Sequence, residues 1–218
     1  MPGTIFVINP NSLTKVTAGI DAALEPLRIA GAPPVACLTL PEGPPGIQSQ
    51  RDVDAVVAPL LSTAAAHEDE AAAFVIACFS DPGLYALREQ SRRPVLGIAE
   101  CGVLSALTMG ARFGVISILP ASIPRHLRYF GAMGVLDRLA ADLAIGLTVA
   151  ELSDDQRTLA RMTEIGLELR DRHGADVLVM GCAGMARFRD DLAAQTGLPV
   201  VEPTLAATGM AMSRVLAG

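Results

Sequence analysis

The stretch Phe74-Val-Ile-Ala-Cys-Phe-Ser-Asp-Pro-Gly83 determines how the rest of the chain is interpreted. An apolar run leads into Cys78, and Asp81 followed by Pro82 is typical of a helix N-cap with proline in the first turn. We therefore expect a buried strand that ends at Cys78 and a helix that begins directly after it, with Asp81 as the cap of that helix. Because the start of a helix favours the thiolate form of a nearby cysteine, we expect this thiol to have a pKa below the usual value of about 8.5.

A second passage, Ala175-Asp-Val-Leu-Val-Met-Gly-Cys-Ala-Gly-Met185, repeats this pattern in the other half of the chain. Its Cys182 follows Cys78 by 104 residues (182 − 78). Two further pairs of segments share nearly the same spacing: residues 5–9 with 113–118, and Pro94-Val-Leu-Gly with Pro199-Val-Val-Glu. Free cysteine is a frequent core residue, which explains one such cysteine, but two in register favour a functional pair that faces across a cleft.

Apolar runs and amphipathic segments alternate along the chain, which is typical of parallel sheets covered by helices on both faces. The predicted strands span residues 4–8, 35–40, 73–77 and 94–98 in the first half, and 113–118, 144–149, 177–180 and 198–201 in the second. Helices are predicted from the end of the first strand to about residue 30 and over residues 52–67, 82–90, 100–109, 154–173 and 187–196.

The fold class that follows is α/β, with two pseudo-symmetric lobes. Each lobe is a four-stranded parallel sheet flanked by helices, and the active site lies in the cleft between them. We assign residues 1–99 and 206–218 to the first lobe and residues 100–205 to the second, so that each lobe carries one of the paired cysteines.

Composition and charge exclude several classes of function. The chain has 218 residues, 51% of them hydrophobic, and a net charge of −6. Because it has no basic run, we expect no nucleic-acid partner and no binding to a membrane surface. No apolar stretch approaches the roughly 20 residues that span a bilayer, and no basic segment precedes the first apolar run as in a signal peptide. Four widely spaced cysteines suit reduced thiols, so we expect a cytoplasmic protein.

Residues that bind common cofactors are scarce. Lys15 is the only lysine and lies in the first predicted helix, which disfavours a pyridoxal-phosphate Schiff base. The three histidines, His67, His126 and His173, have no metal-ligand spacing, and no C-x-x-C motif occurs. We expect no cofactor and no metal, and a small molecule as the substrate. The mean hydropathy of +0.42 favours a self-associating surface and hence a homo-oligomer.

Two opposed cysteines suit the inversion of a carbon whose hydrogen is made acidic by a neighbouring carbonyl. One thiolate removes the proton from one face while the opposite thiol returns a proton to the other, and the roles exchange in the reverse direction. The charge that develops on the carbonyl oxygen needs hydrogen-bond donors, and losing one typically costs about 3–4 kcal/mol. The turns after the two cysteines offer the backbone N–H groups of Phe79, Ser80, Ala183 and Gly184.

Three motifs carry a resemblance to a known family: Asn9-Pro10-Asn11, Cys78-Phe79-Ser80-Asp81-Pro82-Gly83 and Gly181-Cys182-Ala183-Gly184-Met185. They resemble the motifs of hydantoin racemases, which belong with allantoin racemases to the cofactor-independent aspartate/glutamate racemase superfamily. The resemblance implies that Cys78 and Cys182 are the catalytic acid/base residues. It also implies a substrate pocket lined by Asn9, Ile47, Phe79, Ser80, Ser117, Ala183 and Gly184.

The chain departs from the family pattern at two places. Relatives usually carry Gly-(Pro or Thr)-x-Ser-Ile-Glu after the second strand, whereas this chain has Gly43-Pro-Pro-Gly-Ile-Gln48, without the hydroxyl and the carboxylate. Relatives tend to have two threonines after the strand that begins the second half, where this chain has Ser117-Ile118. Both changes predict a less polar pocket and favour a larger or more apolar 5-substituent on the substrate.

The interpretation we favour is a cofactor-independent racemase of 5-monosubstituted hydantoins. The alternatives are an allantoin racemase, another enzyme of the superfamily (an amino-acid racemase or an arylmalonate-type decarboxylase), and a non-catalytic small-molecule-binding protein. Ala183-Gly184 stands where amino-acid racemases tend to have a polar pair, and a decarboxylase needs only one of the thiols. We interpret Cys37 and Cys101 as packing residues.

Overall fold

A computed structural model describes residues 3–218 and places a four-stranded parallel sheet in each half of the chain. The first sheet contains β1 (Thr4–Asn9), β2 (Val35–Thr39), β3 (Ala71–Ile76) and β4 (Val95–Gly97), in the order β2-β1-β3-β4. The second contains β5 (Phe113–Ser117), β6 (Leu139–Ala144), β7 (Val177–Met180) and β8 (Val200–Val201), in the order β6-β5-β7-β8. The matching strand order confirms the predicted fold class of two pseudo-symmetric α/β lobes.

Helices cover both sheets, because the central strands bury nearly every residue and so need cover on both faces. The α-helices are α1 (Thr14–Ala23), α2 (Gln50–Ala55), α3 (Val57–His67), α4 (Leu84–Gln90), α5 (Ile98–Leu107), α6 (Ile123–Ala132), α7 (Asp155–Asp171), α8 (Arg189–Thr196) and α9 (Pro203–Ala217). Short 3-10 segments lie at Glu25–Leu27, Pro120–Ser122, Leu136–Arg138, Glu151–Ser153 and Ala183–Phe188. Within residues 3–218, no helix is both long enough and apolar enough to cross a membrane.

The C-terminal helix connects the two halves. After the second sheet is complete, α9 packs against α5 and returns to β3 of the first sheet. The predicted lobe boundary after residue 205 falls inside α9, so the division of the chain into 1–99 with 206–218 and 100–205 stays a prediction.

The second strand of the second sheet does not lie where the sequence pattern indicated. We predicted it at residues 144–149, but β6 spans Leu139–Ala144 and residues 145–149 form the segment after it. The prediction was wrong because Asp142 interrupts the apolar character of the true strand, whereas the segment after it is apolar and β-branched. That segment turns at Gly146, which has φ +75°, and buries Ile145 and Val149 in the core of the second lobe.

Helix α6 was not predicted. Its sequence Ile-Pro-Arg-His-Leu-Arg-Tyr-Phe-Gly-Ala is amphipathic, with proline in the first turn where a missing N–H is tolerated. Its buried residues are Arg125, His126 and Phe130, so two of the side chains that face the interior are polar. A helix whose inner face is this polar does not stand out in a search for apolar periodicity.

Asp81 caps a different helix from the one we predicted. The helix that follows it, α4, begins only at Leu84 and has no side-chain cap. Instead, a positive φ of 43° turns Asp81 towards α5, where its carboxylate accepts hydrogen bonds from the backbone N–H groups of Ala99 (3.0 Å) and Glu100 (2.9 Å). A Cβ at Gly97 would lie 2.2 Å from this carboxylate, so glycine is required there.

Tyr129 joins α6 to this capping carboxylate, since its hydroxyl donates to Asp81 at 2.8 Å. Burial raises the pKa of the Asp81 carboxyl to about 7. At pH 8, where the carboxylate is ionised, we expect Tyr129→Phe to lower the free energy of unfolding by about 1.5–3 kcal/mol, the usual value of a hydrogen bond to a charged group. Urea unfolding of the wild type and the variant at pH 8 measures this difference in the free energy of unfolding. Tyr85→Phe is the matched control because Tyr85 is 60% exposed, and equal stability of the two variants would contradict the prediction.

Candidate active site

A pocket lies where the carboxyl ends of the two sheets meet, and residues of both halves line it. The predicted site residues that line it are Ile47, Cys78, Phe79, Ser80, Cys182, Ala183 and Gly184. The structure therefore brings the two cysteines of the repeat into one pocket.

Matching backbone contacts position the two cysteines. The residue before Cys78, Ala77, donates its N–H to the carbonyl of Ile8 in β1 at 2.9 Å. The residue before Cys182, Gly181, donates in the same way to the carbonyl of Ile116 in β5 at 2.8 Å. Each cysteine directly follows a residue that is hydrogen-bonded to the central strand of its sheet. Each sheet therefore holds one cysteine at the carboxyl end of its strands.

Each sulfur also receives the backbone N–H of the second residue after it, Ser80 for Cys78 and Gly184 for Cys182. Both hydrogen bonds favour the thiolate, but burial outweighs them. It raises the pKa of Cys78 to about 12 and that of Cys182 to about 11. A charge on Cys182 raises the pKa of Cys78 further, so ionisation of one thiol opposes ionisation of the other.

The expectation of a lowered pKa was wrong for a structural reason. The helix after Cys78 begins only at Leu84, beyond the turn at Gly83, and a 3-10 segment rather than an α-helix follows Cys182. The helix-terminus effect falls off within about one turn. Burial of the two sulfur atoms therefore has the largest effect on their pKa values, and the neutral thiol is the main form of both cysteines at pH 7.

The raised pKa values predict slow alkylation of both cysteines. Only the thiolate reacts, and a higher pKa lowers its fraction at every pH below that pKa. We expect iodoacetamide to modify Cys78 and Cys182 more slowly than glutathione at pH 7. Their rates should still rise about tenfold per pH unit at pH 9–10, where a thiol of pKa about 8.5 has levelled off. Peptide mass spectrometry measures each site, with glutathione in the same solution as the reference, and a plateau below pH 9 would contradict the prediction.

Asn9 and Ser117 lie behind the pocket wall, not in it. Asn9 is fully buried, and its Nδ2 donates to Asn11 Oδ1 at 3.1 Å and to Thr17 Oγ1 at 3.0 Å. Asn11, which the sequence did not single out as a site residue, lines the pocket. Ser117 is also fully buried, and its hydroxyl donates to Asp142. Both predicted residues thus support residues nearer to the pocket.

Sequence reasoning missed three residues that line the pocket. Arg125 and His126 belong to α6, and Ser122 belongs to the 3-10 segment directly before it. The His126 ring is held by Asp142, whose Oδ2 lies 2.7 Å from Nδ1, and by an edge contact with Phe79 at 5.2 Å between ring centroids. Nε2 of His126 makes no hydrogen bond within residues 3–218. The signal that could have found this group is Asp142 itself, a carboxylate in a strand that is otherwise free of charged residues.

The expectation of a pocket less polar than in relatives stays a prediction. The loop that lacks the family's hydroxyl and carboxylate does place apolar Ile47 at the wall. However, the carbonyl of Gln48 in that loop accepts a hydrogen bond from Arg125, and this guanidinium lines the same pocket. A positive charge therefore lies beside this loop, next to the apolar side chain of Ile47.

The fold consists of two similar α/β lobes, and each lobe contributes one cysteine to a shared pocket. This arrangement is typical of a two-lobed protein with a small-molecule site between its lobes. The chain belongs to the Asp/Glu/Hydantoin racemase family, whose family model matches residues 5–211. This membership confirms the family that the sequence motifs indicated.

Individual relatives agree with this assignment. The chain is 35% identical to a hydantoin racemase from Rhizobium meliloti, over 98% of this chain and 89% of that protein. It is 33% identical to a hydantoin racemase from Paenarthrobacter aurescens, over 98% of this chain and 92% of that protein. In structure it is similar to an allantoin racemase from Klebsiella pneumoniae, with a TM-score of 0.89, 30% identity, and coverage of 99% of this chain and 89% of the other.

Proposed function

We propose that the protein is a cofactor-independent racemase of 5-monosubstituted hydantoins that transfers protons at C5 between two thiols. The observation that carries the proposal is the arrival of Cys78 and Cys182, one from each half, in one pocket. Two relatives that are 35% and 33% identical to this chain over nearly its whole length are hydantoin racemases, which supports the same substrate class.

The proposed reaction runs through the form of the protein in which one cysteine is a thiolate and the other a thiol, a minor form at pH 7 because burial raises both pKa values. The thiolate takes the C5 proton, and the electron pair of the broken C–H bond moves to the adjacent carbonyl oxygen to give an enolate. The opposite thiol then donates its proton to the other face of C5, which restores the carbonyl and leaves a thiolate on the other side. The net change is inversion at C5, with the two cysteines exchanged in protonation state.

Two backbone N–H groups are suited to the enolate oxygen. Those of Ser80 and Gly184 already bond to the sulfurs, but those of Phe79 and Ala183 have no protein acceptor within the described residues. Donors fixed in advance in a water-poor pocket stabilise developing charge strongly. His126 complements them, because the tautomer whose Nδ1–H donates to Asp142 leaves Nε2 as an acceptor for a hydantoin N–H.

The test is incubation of purified protein with single enantiomers of several 5-substituted hydantoins in D2O. Loss of optical rotation together with deuterium at C5 is the expected result. Absence of both on every hydantoin would overturn the proposal, and silence on allantoin and arylmalonates as well would favour a non-catalytic binding protein.

A second candidate is racemisation of allantoin, favoured by the structural similarity to the Klebsiella enzyme. The chemistry is the same, since allantoin is a hydantoin with a ureido group at C5. The same assay separates the two candidates by the ratio of kcat/KM for allantoin to that for alkyl hydantoins.

We also propose a cytoplasmic homo-oligomer. The four cysteines are free thiols, which suits a reducing compartment. Large exposed apolar side chains, among them Ile29, Tyr85 and Leu216, offer surface for self-association. Light scattering of the eluted protein tests the oligomer, and a monomer mass would contradict it.

A further inference from the structure

Arg125 is a buried cation that makes no ion pair within residues 3–218. It is 8% exposed and lines the pocket that holds the two cysteines. Its Nη1 donates to the carbonyls of Ala121 (2.9 Å) and Gln48 (3.4 Å), and its Nη2 donates to Ser122 Oγ at 3.3 Å. Nε is buried without any hydrogen-bond partner, and no carboxylate of residues 3–218 lies within ion-pair distance of the guanidinium. A buried charge is costly unless it is paired, so this one needs an anion from outside the chain.

The unused hydrogen-bond donors of Arg125 form a pair suited to a carboxylate. A guanidinium has five N–H groups, and the contacts above use two on Nη1 and one on Nη2. The two that remain are Nε–H and one Nη2–H. These belong to adjacent nitrogens, the geometry that grips the two oxygens of a carboxylate in parallel hydrogen bonds.

Within residues 3–218, no carboxylate lies within ion-pair distance of the guanidinium. Burial lowers the pKa of Arg125, and the charge of Asp52, in the first turn of α2, opposes that shift from a longer distance. No aspartate or glutamate is among the described residues that line the pocket. A second, more open pocket shares Ser80, Arg125 and His126 with it, and the further charged residue there is Arg128. The chain as a whole carries 23 acidic residues against 17 lysines and arginines, so this is a local basic region on an acidic protein. Such a region attracts and retains an anionic ligand.

We propose that the substrate carries an anionic substituent, a carboxylate on a short alkyl chain at C5 of the hydantoin, and that Arg125 binds it through Nε and Nη2. This inference rests on the proposed function and names its substrate class. It replaces the expectation of an apolar 5-substituent.

A competing role for Arg125 is stabilisation of the Cys78 thiolate. Its charge does favour that thiolate, but as the weakest of the influences on Cys78, behind burial, the Ser80 amide, Cys182 and Asp81. The two roles predict different results. Loss of a substrate-binding cation affects only acidic substrates, whereas loss of a thiolate-stabilising cation affects all substrates alike.

The test compares 5-(2-carboxyethyl)hydantoin with its carboxamide, which has nearly the same shape and no charge. We expect the wild-type kcat/KM to be about 10- to 100-fold higher for the carboxylate, and Arg125→Gln to remove this preference by lowering the rate on the carboxylate towards that on the carboxamide. Arg172→Gln is the control for lost positive charge, because Arg172 is 78% exposed at the end of α7 and should leave the preference intact.

Calorimetric binding of the same two ligands separates this inference from the proposed function. Tighter binding of the carboxylate that depends on Arg125, even with no racemisation, supports the inference and overturns the proposed function. Equal binding and equal rates for the two ligands in the wild type overturn the inference and leave the racemase intact. An equal loss on both ligands in Arg125→Gln, with a shift of the pH–rate profile, also overturns it and assigns Arg125 to the thiolate.

Discussion

Cys78→Ser and Cys182→Ser should each abolish racemisation, with kcat reduced by at least about 10³-fold, because a serine hydroxyl is far too weak an acid to replace a thiol as the proton donor or base. Each variant keeps one thiol, which can still remove the C5 proton of the enantiomer that presents its hydrogen to that thiol. That thiol then returns deuterium from D2O to the same face. We therefore expect Cys78→Ser and Cys182→Ser to exchange C5 deuterium into opposite enantiomers, each without inversion.

The measurement is deuterium incorporation by mass spectrometry beside optical rotation, for each pure enantiomer of one substrate. Cys37→Ser is the matched control, since Cys37 lies in β2 and is not part of the pocket lining. Inversion that persists in either serine variant would refute the two-thiol mechanism. A variant that behaves as wild type beside one that is inactive would instead indicate chemistry that uses a single thiol.

The sequence predicted the sheets well because their strands are buried on both faces and therefore appear as continuous apolar runs. The strand before Cys182 was predicted at residues 177–180, as the structure has it. The prediction was wrong at β6, a half-buried outer strand of the second sheet that contains Asp142. Hydrophobic periodicity does not recognise this strand, because its buried carboxylate serves to hold His126 and interrupts the apolar pattern.

The candidate site was predictable only where it is local in sequence. Cys78 and Cys182 stand with their neighbouring amides in short motifs, so the repeat sufficed to find them. Arg125 and His126 reach the pocket through the packing of α6, and the partner that orients His126 lies 16 residues away in β6. Asp81 likewise caps a helix that begins 17 residues later (98 − 81). Long-range pairs of this kind arise from the three-dimensional arrangement and leave no spacing signal in one sequence.

His126→Ala should lower kcat/KM for hydantoins by about 10- to 100-fold, the second large effect that the site predicts. The side chain lines the pocket, and its Nε2 has no hydrogen-bond partner within residues 3–218. A substrate N–H that loses this acceptor is left unpaired in a buried site, which costs about 1–3 kcal/mol. His173→Ala, remote from the pocket, is the control, and both variants need a thermal unfolding curve to show that they are folded.

Asp142→Asn tests the same hydrogen bond by reversing its direction without removing the ring. In the tautomer that the proposed reaction uses, His126 donates its Nδ1–H to the Asp142 carboxylate and Nε2 is the acceptor. An asparagine amide can donate to Nδ1, which moves the ring proton to Nε2 and turns the acceptor into a donor. We expect a loss of kcat/KM as large as in His126→Ala. If Asp142 were needed only for packing, the asparagine of nearly equal shape would cost little activity.

A double-mutant cycle determines whether these two residues act as one unit. If Asp142 affects the reaction only by setting which nitrogen of His126 carries the proton, it has nothing left to set once the ring is gone. Adding Asp142→Asn to His126→Ala should then lower kcat/KM by less than about threefold beyond the single variant, far from the product of the two losses. Multiplicative losses would show that Asp142 acts on the substrate or the thiols independently. Ser117 also donates a hydrogen bond to Asp142, so Ser117→Ala can be added to the cycle. We expect it to lower kcat/KM less than Asp142→Asn, because the contact between Asp142 and His126 remains.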